Sequence, residues 1–160
     1  MLRRHLLLLL TAALPVLAYA DEVEITGPQP TLPKQKLVIV TKDGKRHDFD
    51  VEVATTPHQQ EVGEMFRKSV PPDGGMLFVW PVPHDQPMWM KNTLVPLDIV
   101  FIEADGTIHA IAEDTVPESL ATIDSHGPVL AVLELAAGTT AKLNIVVGDK
   151  VLAKPFGNAG

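Results

Sequence analysis

Cysteine is absent from the 160 residues. That excludes disulfides, thiolate nucleophiles, zinc–thiolate sites, iron–sulfur clusters and a lipid-modified N-terminal Cys. Basic residues are scarce, 13 Lys and Arg against 20 Asp and Glu, for a formal charge of −7. A nucleic-acid binder needs a basic face to neutralise phosphates, and adhesion to anionic lipid needs the same. Neither is called for. No Gly-rich phosphate loop precedes a helix, and no G-x-S-x-G is present. The six histidines show no H-x-H or H-x₃-H spacing, and Ser125-His126 are chain neighbours that do not form a triad. No metal or cofactor is expected.

The chain does contain apolar residues at 46%, enough for a packed core. Its length suits one domain. Residues 1–20 have the three parts of a secretory signal: a basic start with Arg3 and Arg4, an apolar middle from Leu6 to Leu17, and Ala18-Tyr19-Ala20 before Asp21-Glu22. The apolar stretch contains Pro15 and falls well short of the ~20 residues that span a bilayer. Cleavage after Ala20 is expected, leaving a soluble, monomeric protein in the periplasm or outside the cell. Loss of Arg3 and Arg4 leaves 11 basic against 20 acidic residues, a charge of −9.

Residues 21–35 carry Pro28, Pro30, Pro33 and Gly27 without periodicity and read as a flexible leader. A globular domain is expected over residues 36–155, with a loose tail at 156–160. Lys36–Thr41 is a β-branched run, and Asp43-Gly44 suits a type I′ hairpin turn. Phe49, Val51 and Val53 then alternate with Asp48, Asp50 and Glu52, a strand with one wet acidic face. Thr56-Pro57-His58-Gln59 carries the signs of a capped helix start, and the helix is expected to run to about Phe66. Further strands are expected at 76–80, 87–92, 97–103, 107–113, 129–135 and 146–152, with one helical turn after Gly138. Many short strands punctuated by Gly and Pro, with one short helix, predict a mostly β fold: a small antiparallel barrel or sandwich.

Turn chemistry predicts a register. Asp105-Gly106 sets Val100 against Ile111, Ile102 against His109 and Asp98 against Glu113. A turn at Thr93–Pro96 sets Asp98 against Lys91 and Val100 against Trp89. One sheet face then carries Lys91, Asp98 and Glu113 above an aromatic shelf at Trp89. The other carries Met88, Met90, Ile99 and Phe101 into the core. A Lys beside two carboxylates is a structural ion pair, a polar-ligand site or a proton-transfer site.

Met65-Phe66-Arg67, Gly74-Gly75-Met76-Leu77-Phe78 and above all Met88-Trp89-Met90-Lys91-Asn92-Thr93 with Val95-Pro96-Leu97-Asp98-Ile99 carry a resemblance. So do Val132-Leu133-Glu134-Leu135, Gly138 and Gly148-Asp149. The chain resembles domain-of-unknown-function family 192 over about residues 36–152. Glu64 stands where that family usually has an apolar residue. The resemblance implies a compact, mostly β domain, often exported or tethered, with no established activity. By motif position it implies Arg67, Lys91, Asn92 and Asp98 as site residues. Trp89 and Glu113 join them from the register. The expected function is binding of a small polar or carbohydrate-like ligand, or an envelope partner, in a cleft near Lys91 and Asp98. The alternatives are a cofactor-free, carboxylate-dependent hydrolase or lyase, and a structural envelope protein without a pocket.

Overall fold

A computed structural model describes residues 24–159. The expected signal segment at 1–20 lies outside the described residues. Among these residues seven strands follow one another: β1 (Lys34–Val40), β2 (Arg46–Ala54), β3 (Met76–Met88), β4 (Leu97–Ile102), β5 (Ile108–Ala112), β6 (Ile123–Ala136) and β7 (Lys150–Leu152). Two short helices intervene, α1 (Pro57–Val62) and α2 (Thr139–Leu143). The strands make one sheet in the order β5-β4-β6-β3-β2-β1-β7. Ile108 N–H donates to Asp149, and Val151 N–H donates to Gly106. These bonds and a Thr107–Lys150 bridge draw the two edges together into a nearly closed, barrel-like sheet. The fold is mostly β, as the strand pattern predicts.

Alternation along each strand sends side chains to two faces. One cluster, including Leu37, Ile39, Val51, Leu77, Val100, Leu133 and Val151, fills the inside of the curved sheet. A second, including Met76, Phe78, Met90, Ile99, Phe101 and Val132, packs on the outer face of β3, β4 and β6. Met90, Ile99 and Phe101 therefore share a core, as expected, with Met88 packed against it.

Not every pair is antiparallel. β2 and β3 run parallel, with Glu52 opposite Met76 and Ala54 opposite Phe78. A parallel pair needs a crossover, and residues 55–75 supply it. The crossover opens with the expected capping box: Gln59 N–H donates to Thr56 Oγ1 and the Gln59 side chain accepts from Thr56 N–H. The helix stops earlier than expected, at Val62. Gly63 takes φ +49, and a Cβ there would sit 3.0 Å from the Phe78 ring. That glycine turns the chain down onto the outer face of β3, carrying Glu64 and Arg67 with it.

Both ends of the domain are better anchored than the sequence suggests. From Gln29 to Pro33 the expected leader is tied to the domain. Gln29 Nε2 donates to the carbonyls of Gln59 and Gly63, and Val53 N–H donates to Pro33. Leu32 is buried, and β1 begins at Lys34. At the junction with the expected tail, Lys154–Phe156 form a 3₁₀ turn; within the tail, Phe156 packs on the inner core and Asn158 bonds both Ala153 and Val151. Extended Pro-rich segments pack well when side-chain amides satisfy the neighbouring backbone.

Candidate functional site

The crossover lies over a row of three outward-facing positions. Glu52 on β2 is opposite Met76 on β3, and Met76 is opposite Glu134 on β6. Residues opposite one another share a face. Two carboxyls thus flank Met76, and Arg67 and Glu64 come down from above. The Arg67 guanidinium grips Glu52 with both terminal nitrogens, at 2.6 and 2.9 Å. Its Nε lies 3.2 Å from Glu64 Oε2. The N–H is not aimed along that line, so Oε2, although buried, has no hydrogen-bond partner. The contact is one of charge alone.

Three buried carboxyls share one cation. Burial favours the protonated form of each, and the outcome depends on who holds the guanidinium. For Glu52, burial is outweighed by the paired Arg67 bonds and the Leu32 N–H, and its pKa is lowered. For Glu64, burial outweighs Arg67, and the pKa is pushed up to about 7. For Glu134, burial and then the charge of Glu64 push the pKa well above the usual carboxylate range. Glu64 and Glu134 are therefore proton-holding groups near neutral pH.

Both line a cleft of about 330 Å³ between the crossover and the far end of β3. Gln60, Trp80, Trp89 and Lys91 line it too. Trp80 and Trp89 are the two tryptophans of the chain. Trp80 stacks on Phe78, with ring centres 6.3 Å apart, and meets the His84 ring edge-on. Trp89 is 44% exposed, and Lys91 Nζ stands 5.0 Å from its ring centre. The cleft thus has an acidic floor, aromatic walls and a lysine at its rim.

The residues singled out by sequence divide between two places. Arg67, Trp89 and Lys91 belong to this region. Asn92 lies beside it, in a left-handed turn at φ +55, with its carbonyl accepting Phe66 N–H and its side chain on Met65. It lines a smaller neighbouring cleft with Trp89 and Lys91.

Asp98 and Glu113 lie elsewhere. Asp98 is fully buried. Its Oδ1 accepts the N–H groups of Asp114 and Gly138, and its Oδ2 accepts the N–H and hydroxyl of Thr140. Glu113 joins it through the same Thr140 hydroxyl. This network pins α2 and the turn before it to the end of β4.

The expected row of Lys91, Asp98 and Glu113 is therefore corrected by half. The β4–β5 register is as predicted at Val100–Ile111 and keeps Asp98 beside Glu113. A bulge then sets Ile102 against Ile108 instead of His109. Lys91 is not across from Asp98, because β6 inserts between β3 and β4 and takes both of their edges. Asp98 faces Leu135. The chain leaves the sheet after Met88, and 89–96 becomes a loop tied to residues 118 and 119 through Thr93 and Met90. Trp89 likewise lies outside, whereas Val100 and Ile111 face the inner core. The two clefts lined by Lys91 do not include Asp98.

The sequence pattern does not mark Glu52, Glu64 and Glu134 as site residues. Glu52 falls in the acidic stripe that alternation predicts to be wet, yet it is buried, because the crossover covers that end of β2 and brings Arg67. The overlooked sign is in β6, where Glu134 sits within an otherwise apolar run, Val129 to Ala136. An acid inside a strand buried on both faces needs a partner or a purpose.

The family model DUF192 (Uncharacterized ACR, COG1430) matches residues 38–153, and the chain belongs to that family. No curated protein matches it. A crystal structure of a candidate transcription regulator from Sinorhizobium meliloti 1021 is 46% identical. That match covers 77% of this chain and 95% of the other, with a TM-score of 0.75. A protein of unknown function from Novosphingobium aromaticivorans DSM 12444 is 35% identical. It covers 87% of this chain and 100% of the other, with a TM-score of 0.74.

Proposed function

We propose that this protein is an exported, monomeric domain that binds a small polar ligand of monosaccharide size in the cleft over Glu64 and Glu134. The observation that carries the reading is the convergence of both tryptophans and two proton-holding carboxyls on one concavity. Flat aromatic faces take the apolar side of a ring compound, and buried carboxyls take its hydroxyl donors. The export half of the reading rests on residues 1–20. The acidic excess argues against a nucleic-acid role such as the one suggested by the Sinorhizobium relative's name.

Saturation-transfer NMR on the full mature chain with a panel of monosaccharides tests the binding. Transfer to sugar protons is expected, with loss in Trp89→Ala at unchanged melting temperature. Absence of transfer from the wild-type chain contradicts the reading. Intact mass of the exported form, expected to begin at Asp21, tests the compartment; a membrane-bound species retaining Met1 would overturn it.

A second reading is favoured by Glu64, whose pKa near neutrality suits a proton donor or acceptor in a cofactor-free hydrolase or lyase. Such an activity would show a limb near pH 7 that disappears in Glu64→Gln.

A further inference from the structure

The floor of the cleft holds more acid than it can neutralise. Glu52, Glu64 and Glu134 face one guanidinium, and Glu52 takes both terminal nitrogens of Arg67. Glu64 Oε2 is buried without a donor. Among the described residues, no hydrogen bond to the Glu134 side chain offsets its burial. A compact group rich in donors and positive in charge complements such a floor. An ammonium has three donors and no acceptor, so it serves two carboxyls at once, whereas a hydroxyl offers a single proton. The walls suit it as well, since Trp89 already accepts an ammonium over its ring, that of Lys91 at 5.0 Å. A divalent metal fits less well, because among the described residues no three His, Asp or Glu side chains are placed to hold one.

We propose that the cleft selects ligands bearing a primary ammonium, seated against Glu64 and Glu134, with the carbon skeleton between Trp80 and Trp89. This rests on the cleft being a ligand site and names the group it prefers. Lys91 then acts as a competitor at the rim, lowering affinity for other cations. The charged groups around the seat are Glu52 from β2, Glu61 from α1, Glu64 and Arg67 from the crossover, Glu134 from β6, and Lys91.

Both tryptophans line the cleft, so intrinsic fluorescence reads this site. The mature chain is titrated with n-butylammonium, n-butanol and glucose at fixed ionic strength, at about pH 5.5 and about pH 8. Butylammonium is expected to change the emission saturably, with roughly tenfold tighter binding at the higher pH, where Glu64 is ionised. Glu64→Gln should weaken it about tenfold, as for loss of one charge-assisted bond; Glu134→Gln, which exchanges a carboxyl that holds its proton for a neutral amide, should weaken it less, and Lys91→Met should tighten it. Thermal melts of each variant check folding. Butanol binding as well as butylammonium, or unchanged binding in Glu64→Gln, overturns the inference. Glucose binding without butylammonium binding overturns it while leaving the ligand reading standing. Silence from all three probes overturns both. Butylammonium binding without glucose supports the ammonium seat and removes the saccharide.

Discussion

Arg67 and Glu52 meet face to face, two nitrogens on two oxygens, at a point where the β2–β3 crossover closes over the outer core. A planar guanidinium matches a carboxylate in this geometry and holds the crossover in register. The cation also tempers Glu64 and Glu134, so its removal exposes three buried acids at once.

Arg67→Met should cost about 3 kcal/mol at neutral pH, the usual scale for breaking a buried pair from one side. The loss should be smaller at pH 5, because the orphaned carboxyls can neutralise by taking up protons. Denaturant melts at the two pH values measure this. Equal losses at both would show that Arg67 acts through packing alone.

Stability should fall as pH rises through the range set by Glu64. Its folded pKa, about 7, lies above the ordinary value of 4.5, so the folded state binds the proton more tightly. The resulting stabilisation is complete below about pH 4.5 and is lost as pH rises towards 7. Glu134, also raised, extends the loss to higher pH. Glu52, whose pKa is lowered, works in the opposite sense and loses its contribution as the solution becomes acidic. A melting temperature that peaks in mild acid is expected, with a flatter decline towards pH 7 in Glu64→Gln. An unchanged profile in that variant would speak against a protonated Glu64.

Asp98→Asn and Lys91→Met should separate sharply. Asn offers one oxygen where Asp98 uses two for four donors, so the exchange should cost about 3 kcal/mol and leave the cleft unaffected. Lys91 is exposed, with its ammonium over Trp89. Its replacement should cost less than about 1 kcal/mol. Urea midpoints of both variants decide the matter; a large loss in Lys91→Met would restore the pairing that turn chemistry suggests.

Gly75→Ala should destabilise by more than about 1 kcal/mol on backbone grounds alone. Gly75 has φ +146, and a Cβ would lie 2.3 Å from the carbonyl of Glu134. The same change would push on the strand that carries the acidic floor. A melt within error of wild type would contradict this.

Local signals were legible where local chemistry decides. Thr56 and Gln59 mark the helix start, Asp43-Gly44 and Asp105-Gly106 mark hairpins, and the alternation around Ile99 and Phe101 gives the core face. Strand order was not legible, because nothing near Thr93–Pro96 reveals that β6 comes between β3 and β4. That one insertion removes Lys91 from Asp98. Nor was the covering of Glu52, which depends on where a parallel crossover lands. Of the site, Arg67, Trp89 and Lys91 came from the family motifs and the register, but their acidic partners are joined only by the fold.

Carbon-13 NMR of the side-chain carboxyls of Glu64 and Glu134, followed through a pH titration, tests the proton-holding floor of the cleft most directly. The expected result is Glu64 titrating near pH 7, with Glu134 above the ordinary carboxylate range. Ordinary titration of both, near about pH 4.3, would mean a solvated floor and would contradict the site described above.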